Sequence, residues 1–318
     1  MIITVTPNPS IDKIYWVERL KIGEVTQEEF LTRADRSDTS AGGKGINISV
    51  FLARMGVENI AMGFVGGHTG HVVVRDLRDE GVTTNFVWCN GETRTNVTVL
   101  EHGREHIPIL LNEPGMPVSE EEAAHFLRRY KRMLQQATWA VLGGSLPPGI
   151  PDTFYRELTE LAKAAGVKTV VTARGKALSH ALHACPYLVK PDTRERLAME
   201  WGDLATRDGI IAAGKHAVSC GVEMMIISHE VLGDIVITQD AIWEITARVK
   251  TTQFRNLVGA DDALIGGTIY KLDQGTSIEE ALRFGMAAGI LSAESDQKIC
   301  QDMEKITKEM ENISLQKI

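Results

Sequence analysis

The stretch Asn256-Leu-Val-Gly-Ala-Asp-Asp-Ala-Leu-Ile-Gly-Gly267 sets small residues before two adjacent carboxylates, Asp261 and Asp262, and then runs into a helical pattern. Leu264, Ile265, Ile269 and Leu272 fall on roughly one face, at spacings of one, four and three. The turn 258–262 is therefore expected to open a helix. The first N–H groups of a helix lack internal partners and carry partial positive charge, so that end suits an anion, phosphate above all. A carboxylate fixed beside such a hole can take a proton from an attacking hydroxyl while the hole steadies a moving phosphoryl group. On this stretch alone, two aspartates that merely cap a surface helix are the commoner outcome. The rest of the chain reverses that order.

Upstream, β-rich runs at 2–6, 60–65, 139–142, 169–172, 187–189 and 224–228 alternate with helical patterns at 48–55, 72–80, 152–165, 178–184 and 208–220. A hairpin is expected over 235–245, a loop over 66–70, a serine-capped helix from Ser119, and helices at 278–292 and near 301–310. This alternation predicts an α/β fold, a doubly wound and mostly parallel sheet with helices on both faces. Sites in such folds lie at the carboxyl ends of the strands. Ala41-Gly-Gly-Lys-Gly-Ile-Asn47, Gly143-Gly-Ser-Leu-Pro-Pro-Gly149, Lys190-Pro-Asp-Thr-Arg-Glu195, Ser228 and the turn before Asp262 all fall there. Two β-rich blocks, 12–37 and 86–110, stand apart and are expected to form a small β-sheet lid on a core of 1–11, 38–85 and 111–318.

Locally, each motif has a plainer alternative. The Gly-Gly-Lys-Gly turn is not a Walker motif, and a flexible loop with a solvated lysine fits it about as well as an anion site. Arg94, at a strand edge, has solvation as its commoner fate. Their convergence at one sheet edge favours a site.

Composition narrows the partners. The 318 residues are 43% hydrophobic and 24% charged, ordinary for one large α/β domain. A net charge of -8 argues against nucleic acid, and no apolar run approaches the roughly 18 residues of a membrane span. Cys89, Cys185, Cys220 and Cys300 are widely spaced without a C-x-x-C pair, which suits a reducing, cytoplasmic setting. The first residues read as a strand, not a signal peptide.

Thr6-Pro-Asn-Pro-Ser-Ile-Asp12, Gly42-Gly-Lys-Gly-Ile-Asn47, Thr93-Arg-Thr-Asn96, Asn112-Glu-Pro-Gly115, Gly144-Ser-Leu-Pro-Pro-Gly149 and the stretch 258–262, in this order and spacing, resemble the ribokinase-like (PfkB) carbohydrate kinases. The likeness covers nearly the whole chain and is greatest to the branch that phosphorylates fructose 1-phosphate or tagatose 6-phosphate. It implies ATP and Mg²⁺. By the resemblance, Asp262 is the general base, and Gly259 and Ala260 belong to the anion hole. Asp12, Gly43 and Asn47 match positions that hold sugar hydroxyls; Lys44, Arg94 and Ser145 match positions near the phosphate already on the substrate. Lys190, Ser228, Gly259, Asp261 and Glu195 fall at the nucleotide, Glu195 reaching Mg²⁺ through water. The lid blocks match a segment that often also forms a homodimer interface.

Four positions depart from the family pattern. Asp261 replaces a glycine, Glu230 adds charge after Ser228, Asp192 replaces an asparagine three before Glu195, and Thr172-Ala-Arg-Gly175 replaces Asp-Thr-Ser-Gly. A carboxylate where phosphate charge develops repels it, by about 4 kcal/mol for unit charges about 4 Å apart at an effective dielectric of 20. The expected function is ATP-dependent conversion of fructose 1-phosphate to fructose 1,6-bisphosphate. The alternatives are a tagatose-6-phosphate or 6-phosphofructokinase, or a kinase fold weakened by Asp261 and Glu230 into a binding or regulatory protein.

Overall fold

A computed structural model of the chain describes residues 1–21, 31–104, 107–191, 204, 206–230, 233–249, 254–255, 257–295, 299 and 302–318. The strands are β1 (Ile2–Thr6), β2 (Ser10–Val17), β3 (Arg36–Gly42), β4 (Asn59–Val65), β5 (Thr83–Thr84), β6 (Val87–Trp88), β7 (Arg94–Glu101), β8 (Ile109–Asn112), β9 (Trp139–Gly143), β10 (Lys168–Thr172), β11 (Leu188–Val189), β12 (Met224–Glu230), β13 (Gly233–Thr238), β14 (Ile242–Ala247) and β15 (Ile313–Lys317). The helices are α1 (Lys44–Arg54), α2 (Gly67–Asp79), α3 (Glu120–Leu134), α4 (Phe154–Ala164), α5 (Gly175–Leu182), α6 (Arg207–Ser219), α7 (Ala260–Asp273), α8 (Ile278–Glu294) and α9 (Met303–Glu309).

The large sheet runs β15-β14-β13-β12-β11-β10-β9-β1-β4-β5, with β6 also beside β4. From β4 to β12 it is parallel, as the strand–helix alternation predicts. Strands covered on both faces read as unbroken apolar runs, and β1 and β9 are buried along their whole lengths. Successive side chains part to opposite faces. Ile3 and Val5 belong to one buried cluster with Phe126, Tyr130 and Phe154 of α3 and α4, whereas Ile2 belongs to another with Phe51, Ile265 and Phe284 of α1, α7 and α8.

Two features depart from the sequence expectation. Beyond β12 the sheet turns antiparallel through the expected hairpin of β13 and β14, and an unexpected strand, β15, closes its edge against β14. That last strand is only five residues of alternating apolar and polar character, ordered by a neighbour some seventy positions back. Residues 67–70, expected as loop, form the first turn of α2. Two glycines there, Gly67 and Gly70, suppress local helix propensity, but Glu92 supplies the missing cap from a distance. Its carboxylate accepts from the His68 and Thr69 amides at 3.0 Å each. The Thr69 hydroxyl and these two amides together hold Glu92 down to about 2. Ser119, by contrast, caps α3 in the expected capping box with Glu122.

The second sheet has the order β3-β2-β7-β8, with β2 and β7 parallel. Asp12, Asn96 and Asn112 place one of its faces over the carboxyl ends of the core strands, where a shared cavity opens.

Helix α7 is set by α8, through contacts so close that they leave no room for a methyl group. A Cβ added at Gly285 would lie 2.6 Å from the Leu264 carbonyl oxygen and 2.2 Å from the Thr268 hydroxyl. Because a backbone atom blocks it, Gly285→Ala is expected to cost about 1–3 kcal/mol of stability in urea unfolding. A loss below about 0.5 kcal/mol would mean that the two helices separate freely.

Candidate functional site

Each chemistry-bearing side chain reaches the site from the end of a strand or the start of a helix. Gly259 is the N-cap of α7 and sits at φ 90°, a left-handed conformation that suits glycine. It delivers Asp261 and Asp262 into the first helical turn, so neither aspartate is the cap residue. Asp262 is buried, with 4% exposure. Asn47, in the first turn of α1, donates its amide to Asp262 Oδ2 at 2.7 Å, and Lys44 Nζ lies 3.8 Å from Oδ1. The base candidate is thus oriented by a neutral donor and faced by a cation.

Asp261 takes a different route. It pairs with Lys190 at 3.2 Å while remaining 46% exposed. Lys190, just beyond β11 and only 1% exposed, also contacts Asp234 Oδ1 at 3.1 Å and donates to the Ser228 hydroxyl at 2.8 Å. Burial works against its ammonium, but Asp234 and Asp261 outweigh that and hold the group above its ordinary value. The expected repulsion from Asp261 is therefore answered by a partner that local sequence does not reveal. Asp234 itself was not anticipated. Its signal is a lone carboxylate inside the apolar run Gly233-Asp-Ile-Val-Ile, where a buried charge demands a counter-charge.

The residues expected on the substrate side line one cavity with Asp262, of about 210 Å³. Asp12 on β2 accepts from Ser10 Oγ at 2.7 Å and Asn96 Nδ2 at 2.9 Å. Gly42 makes room for it, since a Cβ there would lie 2.2 Å from its carboxylate. Gly43 is the N-cap of α1. Arg94 opens β7 and donates to the carbonyls of Asn8 at 3.2 Å and Glu113 at 3.1 Å. Burial and the nearby Arg174 pull its guanidinium down from its ordinary value, against the opposing pull of Asp12 and Glu113. Ser145 accepts from Asn8 Nδ2 at 3.3 Å. Its turn is braced by Tyr155, whose hydroxyl burial keeps protonated and which donates to the Gly144 carbonyl at 3.0 Å. Asn8 and Arg174 line the cavity too, without having been singled out as site residues.

Asp12, Gly43, Lys44, Asn47, Arg94, Ser145, Gly259, Asp261 and Asp262 all line this one cavity. Ser228, Asp261 and Ala260 line a small neighbouring one, and Lys190 joins the two through Asp261 and Ser228. Glu195 lies outside the described residues, as does the side chain of Glu230. A larger cavity, about 560 Å³, lies between β3 and helices α1 and α2; among its described lining residues only Asn47 is shared with the first. The smaller cavity carries the chemistry: a held carboxylate, a helix N-terminus and three cations at the strand ends. Such an arrangement can deprotonate a hydroxyl beside an anion.

Comparison with known proteins follows this geometry. A sequence profile described as pfkB family carbohydrate kinase matches residues 8–304. The chain is 33% identical to the 1-phosphofructokinase of Bacillus subtilis (strain 168) over 297 residues, 93% of this chain and 94% of that protein. It is 30% identical to the D-tagatose-1-phosphate kinase of Bacillus licheniformis, over 92% of each chain. Among solved structures, a possible 1-phosphofructokinase from Thermotoga maritima superposes with a TM-score of 0.91 at 32% identity, covering 100% of this chain and 99% of that one. Phosphofructokinase-2 from Escherichia coli, solved in complex with substrates and products, gives 0.85 at 27% identity over 98% of each chain.

Removing one partner from a buried ion pair leaves the other uncompensated. Lys190→Met is expected to lose about 3 kcal/mol in chemical denaturation, because Asp234 stays buried without its cation. The double variant Lys190→Met with Asp234→Leu should recover most of that loss, and an unrecovered loss would assign the cost to packing alone.

Proposed function

The chain belongs to the pfkB family of carbohydrate kinases, and from that premise we propose that it transfers the γ-phosphoryl group of ATP to a sugar phosphate, fructose 1-phosphate giving fructose 1,6-bisphosphate. The observation that carries this reading is one cavity lined both by the buried Asp262 and by Arg94, Lys44 and Ser145. A sugar that already bears a dianionic phosphate matches the second set, since a guanidinium fork and an ammonium suit phosphate oxygens. The two curated relatives bear names that specify ketose 1-phosphates, which favours position 1 for the resident phosphate.

The chemistry follows from the residues. The sugar hydroxyl oxygen attacks the γ-phosphorus, the bond to the ADP oxygen breaks with its electron pair, and the hydroxyl proton goes to Asp262. Asn47 holds the carboxylate in place, and Asp12, Gly43 and Asn47 are assigned to the sugar hydroxyls. The N-terminus of α7 at Gly259 and Ala260, with the helix dipole, is assigned to the moving charge. Lys190, Ser228 and Asp261 are assigned to the nucleotide side, together with Glu195.

Mg²⁺ is part of this proposal. Among the described residues no three histidine, cysteine or carboxylate groups converge on a point. The ion would be held chiefly by nucleotide phosphates and water, with Glu195 reaching it through that water. When bound, Mg²⁺ offsets charge on the phosphates. The second sheet is assigned as a lid. Its exposed Ile109, Leu110 and Leu111 support a homodimer contact through it. A cytoplasmic location belongs to the same reading, since ATP is the donor.

The test is ADP release with ATP and Mg²⁺ on fructose 1-phosphate, tagatose 1-phosphate, tagatose 6-phosphate, fructose 6-phosphate and fructose. Turnover of order 1–100 s⁻¹, fastest on fructose 1-phosphate, is expected. Asp262→Asn should lower kcat about 10²–10⁴-fold with sugar-phosphate binding retained. Binding of ATP or a sugar phosphate without turnover in the unaltered protein would instead mark a regulatory binding protein. Asp261→Gly is expected to raise kcat severalfold with the KM for sugar phosphate unchanged, because Lys190 then shares its charge with one carboxylate fewer. An unchanged or lower kcat would show that Asp261 does not obstruct transfer.

A further inference from the structure

We propose that Asn8 is a positioning residue for the phosphate that the sugar carries, acting through the Ser145 hydroxyl, a role that rests on the sugar-phosphate reading above. Asn8 lies between two prolines, Pro7 and Pro9, just past β1. A residue before proline is held out of the helical region, so its backbone is stiff. Val5 of β1 pairs with Leu142 of β9, and positions 8 and 145, three steps beyond each, leave the sheet side by side. Asn8 is 5% exposed, yet it lines the cavity that Lys44, Arg94 and Ser145 also line. Gly115 lets the chain pass close to it, since a Cβ there would lie 2.2 Å from Asn8 Oδ1.

The polarity of its hydrogen bonds gives Asn8 this role. An amide nitrogen has two hydrogens to donate, whereas a carbonyl oxygen can only accept. The Pro114 carbonyl therefore fixes which end of the amide is which, with Nδ2 donating to it at 2.9 Å. The same nitrogen donates to Ser145 Oγ at 3.3 Å. A serine hydroxyl can donate or accept, and the amide makes this one accept on the Asn8 side, so its own hydrogen points elsewhere. A phosphate dianion offers only acceptor oxygens, and a hydroxyl already turned to donate meets it without reordering. The Asn8 carbonyl meanwhile accepts from Arg94 Nε at 3.2 Å, and Glu113, next to Pro114, takes Arg94 Nη1 at 3.1 Å. One buried residue thus touches both the guanidinium and the hydroxyl assigned to the phosphate.

The test is a double-mutant cycle on fructose 1-phosphate. Asn8→Ala should raise its KM about 10–100-fold, the size expected for one lost hydrogen bond to a charged group, and leave the KM for ATP within about twofold. Ser145→Ala should raise the same KM by a similar factor. Asn8→Ala combined with Ser145→Ala should be no more than about twofold worse than Ser145→Ala alone, because Asn8 then has no hydroxyl to orient. Calorimetric binding of fructose 1-phosphate reads the same coupling without turnover. Where Asn8→Ala does not fold, Asn8→Asp keeps the shape of the amide but can only accept, so the Ser145 hydroxyl turns to it and the KM should again rise at least about tenfold. A KM within about twofold in the folded Asn8 variant, a matching rise for ATP, or single-variant effects that multiply in the double variant overturns the proposal while leaving the sugar-phosphate reading standing. Failure of the unaltered protein to bind or turn over any sugar phosphate overturns both.

Discussion

The hydrogen bond from Asn47 Nδ2 to Asp262 Oδ2, at 2.7 Å, joins the first turns of α1 and α7 and fixes the position of the one deeply buried carboxylate in the cavity. Everything that sets those two helices serves it. Gly259 turns the chain into α7 at positive φ, Gly285 lets α8 press against α7, and Gly266 faces Phe51 of α1 so closely that a Cβ would lie 2.7 Å from the ring. A neutral amide is well suited to the task, since it orients a carboxylate without compensating its charge. Lys44, one turn earlier at 3.8 Å, contributes field more than direction.

The second carboxylate of the pair shows how environment divides like residues. Asp234 is buried and Asp261 is 46% exposed, although both contact the same Lys190 ammonium. Water screens the Asp261 contact, so its worth is that of a surface pair, whereas the Asp234 contact is what keeps a charge tolerable inside the protein. Lys190 is therefore fixed by Asp234 and tuned by Asp261. Asp261 is thus accommodated electrostatically, which is how the chain can hold two adjacent acids in the first turn of α7.

The parallel core was legible because strands covered on both faces must be apolar throughout and the helices between them keep a regular spacing. The motif residues of the site were legible for a related reason: glycines, prolines and charges cluster where strands end, and strand ends are where such folds bind ligands. What could not be read depends on partners remote in sequence. The first turn of α2 is capped by Glu92 from more than twenty residues away, and β15 pairs with a strand some seventy positions back. Asp234 escaped notice likewise, as an acid inside an apolar strand, and has no meaning until Lys190 stands beside it.

Arg94 carries the matter of specificity furthest. Two of its N–H groups are fixed to the carbonyls of Asn8 and Glu113, so the planar fork has little freedom to reorient. Partial burial and a neighbouring arginine make its charge costly before any ligand arrives. A dianion removes that cost on entry, and because the donors are already in place, little further ordering is needed. On the proposed reading this preparation favours a phosphorylated substrate, because the donors that would meet its phosphate are already held by backbone carbonyls.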